Sequence, residues 1–322
     1  MVLLRLLATS LLFACLLPAQ DLRRGLVDAD FVAVARAIGK KEHDADLVLH
    51  RLQVIRRIRG DEAQTVTVLD WPNLALHARP MIRQSRLYCL QDASAQATRL
   101  GLPAADGPYF KMVGWSGSNP LVGENVEGDP NVQFAALLAR SEAGTPPTET
   151  AADLCSIALL GAPGLRTEAA RFLAERPTLR AKITELQWSR ILTRTSGEID
   201  DVAHKIALAE LCAEQGLPGL LDSLAVSLGQ VQDAEYARTV GRIGALLHGE
   251  DATTKLEERL RLAGQEKDRA ALLLAIGATN TSSALEALLR IDSASGGKDA
   301  AVEAALREHR SPRAKEAVAR RK

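Results

Sequence analysis

The hydrophobic pattern changes character three times along the chain. From Leu6 to Leu17 the residues are apolar except Thr9 and Ser10, after a start that carries one charge, Arg5. Pro18-Ala19-Gln20-Asp21 then returns to polar sequence. A basic start, a short apolar block and a small residue at its exit predict a bacterial secretory signal over residues 1–19, cut between Ala19 and Gln20. The block is shorter than the roughly 18 apolar residues of a membrane helix, and no later stretch reaches that length, so no membrane span is predicted. Leu12-Phe13-Ala14-Cys15 supports an alternative, a lipoprotein signal that puts a lipid anchor on Cys15 and holds the protein in the envelope.

Residues 20–130 follow a period of two in short runs broken by Gly, Pro and Asp. The runs are Phe31 to Ala35, Leu47 to Ile55, Thr65 to Leu69, Leu87 to Leu90 and Tyr109 to Val113. Alternation, β-branched content and turns such as Arg59-Gly60-Asp61 predict about five strands, which suits a small barrel or sandwich. On the second run Val48, Leu52 and Val54 share a face with His50.

Residues 131–148 read as a helix and linker. Asp129-Pro130 opens the helix, because proline fits a first helical position whose N–H would go unused, and Gly144 stops it. Thr145-Pro146-Pro147-Thr148 is the linker. From 149 to 322 the period becomes helical and the sequence repeats. Leu173, Leu211, Ile243, Ile276 and Leu306 each stand among small or apolar residues, about 30–40 residues apart. That interval holds two antiparallel helices and two turns, so about five helix pairs are expected. The second helices are expected at 181–193, 219–228, 253–262, 283–291 and after Pro312.

Two resemblances sharpen this. Ala29 to Val34, Val54 to Gly60, Thr65 to Val68, Ser85 to Leu90 and Phe110 to Gly117 follow one another as in netrin-like domains, relatives of the tissue inhibitors of metalloproteinases. The resemblance implies an OB-type β-barrel over about a third of the chain. Such domains carry a disulfide near positions held here by Trp71 and Trp115, so that bond does not carry over. The inhibitors chelate a protease's zinc through a mature N-terminal cysteine; here Gln20 takes that place, and the activity does not carry over either. The second half resembles HEAT-type repeats in its period and alanine placement. Together they give a β-barrel plus all-α chain: a small OB-like barrel, then a HEAT-like α-solenoid.

Composition removes several function classes. Forty basic and forty acidic residues give no net charge, which argues against nucleic acid as a partner. Cys89, Cys155 and Cys212 would survive cleavage, match no zinc spacing, and read as buried apolar residues rather than a Cys155–Cys212 disulfide. Gly114-Trp115-Ser116-Gly117-Ser118 lacks the glycine that a nucleophile elbow needs at its last position. Glu42 to Asp46 lacks metal-site spacing and reads as a solvated loop, Arg59-Gly60-Asp61 as a turn, and Gly296-Gly297-Lys298 as no phosphate loop. His50 reads as hydrogen-bonded packing, and His77, His204, His248 and His309 are scattered. The basic tail from Arg307 to Lys322 reads as a solvated helix end rather than a lipid or acidic-partner site. No catalytic set, metal or cofactor is expected. The expected function is an exported, non-enzymatic protein-binding or scaffold protein, its partner chosen by exposed Arg, Glu and Gln on the second helices. Alternatives are a protease inhibitor or enzyme accessory acting through the barrel, and a lipid-anchored envelope component.

Overall fold

The computed structural model describes residues 20–44, 46–71, 80–113, 119–144, 147–197, 201–231 and 233–321. The signal segment with Cys15 and Ala19, His77, and the Gly114 to Ser118 stretch lie outside them. The chain divides into two compact units, 1–168 and 169–322.

The first unit holds helix α1 (Gln20–Asp28), strands β1 (Phe31–Glu42), β2 (Val48–Arg59), β3 (Thr65–Asp70) and β4 (Ser85–Asp92), helix α2 (Ser94–Arg99), strand β5 (Tyr109–Met112), and helices α3 (Pro130–Glu142) and α4 (Pro147–Leu160). The strands close into a barrel in the order β1-β2-β3-β5-β4. All neighbours are antiparallel except β3 and β5, where Thr67 lies beside Tyr109. A parallel pair needs a long crossover, supplied here by the chain through β4 and α2. This arrangement fits the OB fold. Register shifts at Val32/Ala33, Val34/Ala35 and Ala37/Gly39 let the long β1–β2 ribbon bend round to closure.

A five-stranded barrel has a narrow interior. Ala33, Ala35 and Ala37 on β1 leave room for Phe31, Tyr88, Phe110 and Met112, and the Phe31 and Phe110 rings lie 5.1 Å apart. Val32, Val34, Leu87 and Cys89, on the outer face, are buried as well. Helix α1 packs on β4 and α3 packs on β2, so this side of the barrel is covered. A second small core joins Leu47, Leu49, Leu69 and Tyr109 to Ala93 and Ala97 of the α2 segment, with Trp71 at its edge.

Helix α3 begins at Pro130 with the Asp129 side chain accepting from the Asn131 and Val132 N–H groups. The expected linker is shorter than the sequence suggests, because α4 already starts at Pro147. Its proline fits the first turn for the same reason as Pro130.

After α5 (Leu165–Ala174), which crosses the boundary between the units, and α7 (Glu185–Ser196), the second unit is an array of helix pairs: α8 (Val202–Gln215) with α9 (Leu220–Ser227), α10 (Ala234–His248) with α11 (Asp251–Arg261), α12 (Glu266–Thr279) with α13 (Ser282–Ala294), and α14 (Ala300–Glu308) with α15 (Pro312–Arg320). The short α6 (Pro177–Arg180) lies between α5 and α7, so the helix expected from 181 starts at Glu185. Leu173, Leu211, Ile243, Ile276 and Leu306 are all buried, one on each first helix. First helices approach closely where side chains vanish. A Cβ on Gly241 would stand 2.2 Å from the Ala275 carbonyl oxygen, and one on Gly277 2.2 Å from that of Ala305.

Candidate interaction surface

The second helices were expected to choose the partner through exposed Arg, Glu and Gln. Arg261 and Lys315 are exposed with no ion-pair partner among the described residues, while other charges on these helices pair along the stack. Lys255 of α11 lies 3.4 Å from Asp222 of α9, Arg290 of α13 meets Glu257 of α11, and Arg313 of α15 lies 2.7 Å from Glu286 of α13. In every rung the acid comes from the earlier helix and the cation from the later one. On the first helices Arg238 of α10 reaches past α12 to Glu308 of α14 at 2.8 Å, and Arg242 meets Glu235 at 2.8 Å. Surface pairs of this kind contribute only about 0–1 kcal/mol each. Their effect on recognition is larger, since a paired charge is less available to a partner.

The third edge is formed by the turns inside each pair, and there the backbone itself is linked from repeat to repeat. Glu250, between α10 and α11, accepts from the Ser283 N–H at 2.8 Å and the Ser282 N–H at 3.1 Å, at the start of α13. These donors, Ser283 first, hold its carboxyl below the ordinary value of 4.5. One pair on, Asn280 takes a left-handed backbone conformation with φ of 56° and accepts from the Arg310 N–H at 2.7 Å. His309 joins the same two turns. Its Nε2 lies 3.0 Å from the Thr281 carbonyl, and its Nδ1 accepts from the Ser311 N–H at 3.1 Å. Since that carbonyl accepts only, Nε2 carries the proton.

Between these turns lies a recess of about 570 Å³, with Leu285 at its base and Asn280, Glu286, His309, Arg310 and Arg313 round it. His309 is fixed by its two bonds, whereas the Arg310 side chain is exposed and has no ion-pair partner among the described residues. The far end of α15 is pinned by Arg321, only 6% exposed, which meets Asp292 and lies 3.4 Å from Glu303. Arg307, Arg320 and Arg321 of the basic tail are likewise spent on neighbours: Glu303, Glu316 and Asp292.

The other sequence candidates resolve into structure. His50 and Asp70 face each other inside the barrel mouth, Nε2 to Oδ2 3.1 Å, with 5% and 1% exposure. Arg59 of the Arg-Gly-Asp triplet donates to the Leu26 and Ala29 carbonyls and pairs with Glu142, tying α1 and α3 to β2. Gly60 has φ of 96°, and a Cβ there would stand 2.7 Å from the Phe31 ring, so both backbone conformation and packing ask for glycine at this turn. In the Glu42 to Asp46 loop the Asp46 N–H donates to Asp44 Oδ1. Among the described residues no three His, Cys, Asp or Glu side chains cluster as a metal site, and no helix is long and apolar enough to cross a membrane. Cys89, Cys155 and Cys212 are buried free thiols, each pushed up to about 12 chiefly by burial.

Asn119 is a site that sequence reasoning missed. It opens a polar stretch, yet it is fully buried: its Oδ1 accepts from the Cys89 N–H at 2.9 Å and its carbonyl accepts from Arg86 at 3.0 Å. It satisfies backbone and side-chain donors beside β4, a role that a lone Asn in a loop does not advertise.

No protein-family model, curated protein or solved structure matches the chain.

Proposed function

We propose that the chain is an exported, non-enzymatic binding protein, periplasmic or extracellular, whose HEAT-like helical unit engages a protein partner and whose netrin-like barrel serves as its companion domain. The observation that carries this reading is the linked turn edge of α10 to α15. Its bonds between Glu250 and Ser283, Asn280 and Arg310, and His309 and Thr281 brace it, and it leaves a polar recess beside Arg310, which has no ion-pair partner among the described residues. A preorganised edge loses little entropy on binding, and repeat arrays recognise partners through such extended surfaces. Fold alone does not assign a function, so the surface has to be tested directly. Cross-linking of the chain in the exporting cell's envelope fraction should place partner contacts on residues 169–322. Contacts confined to 20–168 would move the function to the barrel and favour the inhibitor or accessory reading. Mass spectrometry of the mature N-terminus decides the export route: Gln20 at the start supports cleavage after Ala19, and a lipidated Cys15 supports an anchored envelope component.

A further inference from the structure

We infer that the recess between the last two intra-pair turns receives a carboxylate-rich segment of the protein partner, an inference that rests on the binding reading above. Arg310 and Arg313 border the recess and Glu286 is the one acid there. Glu286 is already matched with Arg313 at 2.7 Å, which leaves the exposed Arg310 as an uncompensated cation. Guanidinium groups suit this task because their donors match a carboxylate in two parallel bonds.

One turn earlier the chain shows what this edge accepts. The Glu250 carboxylate is seated on the Ser282 and Ser283 N–H groups. In the next turn Asn280 makes the corresponding contact with the Arg310 N–H. An amide supplies the hydrogen bond and no charge, so the negative group that Glu250 brings to one turn is missing from the next. The ion-pair ladder on the second helices points the same way. Asp222, Glu257 and Glu286 each meet a cation from the following helix, and α15 adds the exposed Lys315 with no ion-pair partner among the described residues. The last pair therefore presents two exposed cations, Arg310 and Lys315, that no acid among the described residues meets. The site is concave and walled by two turns, a shape that admits a peptide side chain and excludes a flat bilayer.

The test uses the chain from Gln20 onward with a fluorescein-labelled glutamate-rich peptide and its glutamine counterpart, read by anisotropy at low salt. The glutamate peptide should bind and the glutamine peptide should not, with binding weakened by added salt. Arg310→Ala keeps the backbone N–H that meets Asn280 and should weaken binding roughly tenfold, the loss of one charge-assisted bond. Arg310→Lys should restore part of it, and Arg261→Ala, an exposed arginine at the end of α11, should change nothing. Failure of the wild-type chain to bind, equal binding by Arg310→Ala, or binding to phosphatidylglycerol vesicles without binding to the peptide would each overturn the inference. If partner cross-links still map to 169–322 after such a failure, the helical unit keeps its role and only the acidic occupant is wrong.

Discussion

Gly277 and Ala305 meet so closely that a methyl group on Gly277 would stand 2.2 Å from the Ala305 carbonyl oxygen and 3.1 Å from its Cα. Contacts this short are met by backbone, which cannot turn aside as a side chain can. Gly277→Ala and Ala305→Leu should therefore each destabilise the helical unit by about 1–3 kcal/mol, the usual cost of overpacking. Gly264→Ala, where the added methyl meets open space, serves as the control and should stay within about 0.5 kcal/mol of the wild type. Urea midpoints measure all three. Unchanged midpoints for both close-contact variants would mean that α12 and α14 do not cross at this point.

The three buried thiols give a second test. Burial pushes Cys89, Cys155 and Cys212 up to about 12, so almost none is thiolate at pH 8, and the thiolate is the reacting species. A chain from Gln20 onward should resist an aromatic disulfide reagent while folded and react at all three cysteines in denaturant. Fast reaction of any one in the native state would place it at the surface.

Glu250 predicts an acid dependence. Its folded carboxyl lies below the ordinary 4.5, so its stabilising contribution is present above that value and is lost as pH falls through the lower folded one. The melting-temperature gap between the wild type and Glu250→Ala should be open at neutral pH and should narrow as the pH is lowered through the folded value. A gap of constant size across that range would show that the carboxylate charge is irrelevant to the turn.

Lys205 predicts a dependence at the other end of the scale. Its side chain is fully buried, its Nζ donates to the Gly197 carbonyl at 3.0 Å beyond the end of α7, and burial lowers its pKa from 10.5. Burial favours the neutral amine, so this residue's unfavourable contribution diminishes as pH rises through the folded value towards 10.5. Lys205→Met should gain most over the wild type at neutral pH, with the gain shrinking as pH rises. The two proteins tracking each other from pH ~7 to ~10 would remove burial of the charge as the cause.

Architecture was more legible in this sequence than the interaction surface. Leu173, Leu211, Ile243, Ile276 and Leu306 all fall on buried first-helix positions because a repeated apolar pattern is a local signal. Strand β1 was read too short, ending at Ala35 instead of Glu42, because its outer Val32 and Val34 are covered by other elements and its second half is polar. The helices α1 and α2 were missed: one stands beside the expected cleavage site, and the other is six residues long with a single buried residue, Ala97. The turn edge was illegible for a different reason. Its bonds join Glu250 to Ser283 and Asn280 to Arg310, residues about 30 apart that share no periodic mark, and nothing in either neighbourhood names the other.

The parallel β3–β5 pair makes the two units unequal in what they tolerate. Strand β5 has four residues, and it alone joins β3 to β4 and removes both open edges. A nascent chain that has not yet reached Tyr109 holds strands with unpaired N–H and C=O rows, which are templates for aggregation. Pairing Thr67 with Tyr109 also closes a long loop, the kind of non-local contact that slows folding. The helical array faces no such deadline. Its pairs form from neighbours in sequence, and an array interrupted between pairs is a shorter array rather than a broken one. The first hundred or so residues are therefore the stretch with most to gain from shielding until Met112 has emerged, and the helical array the part with least.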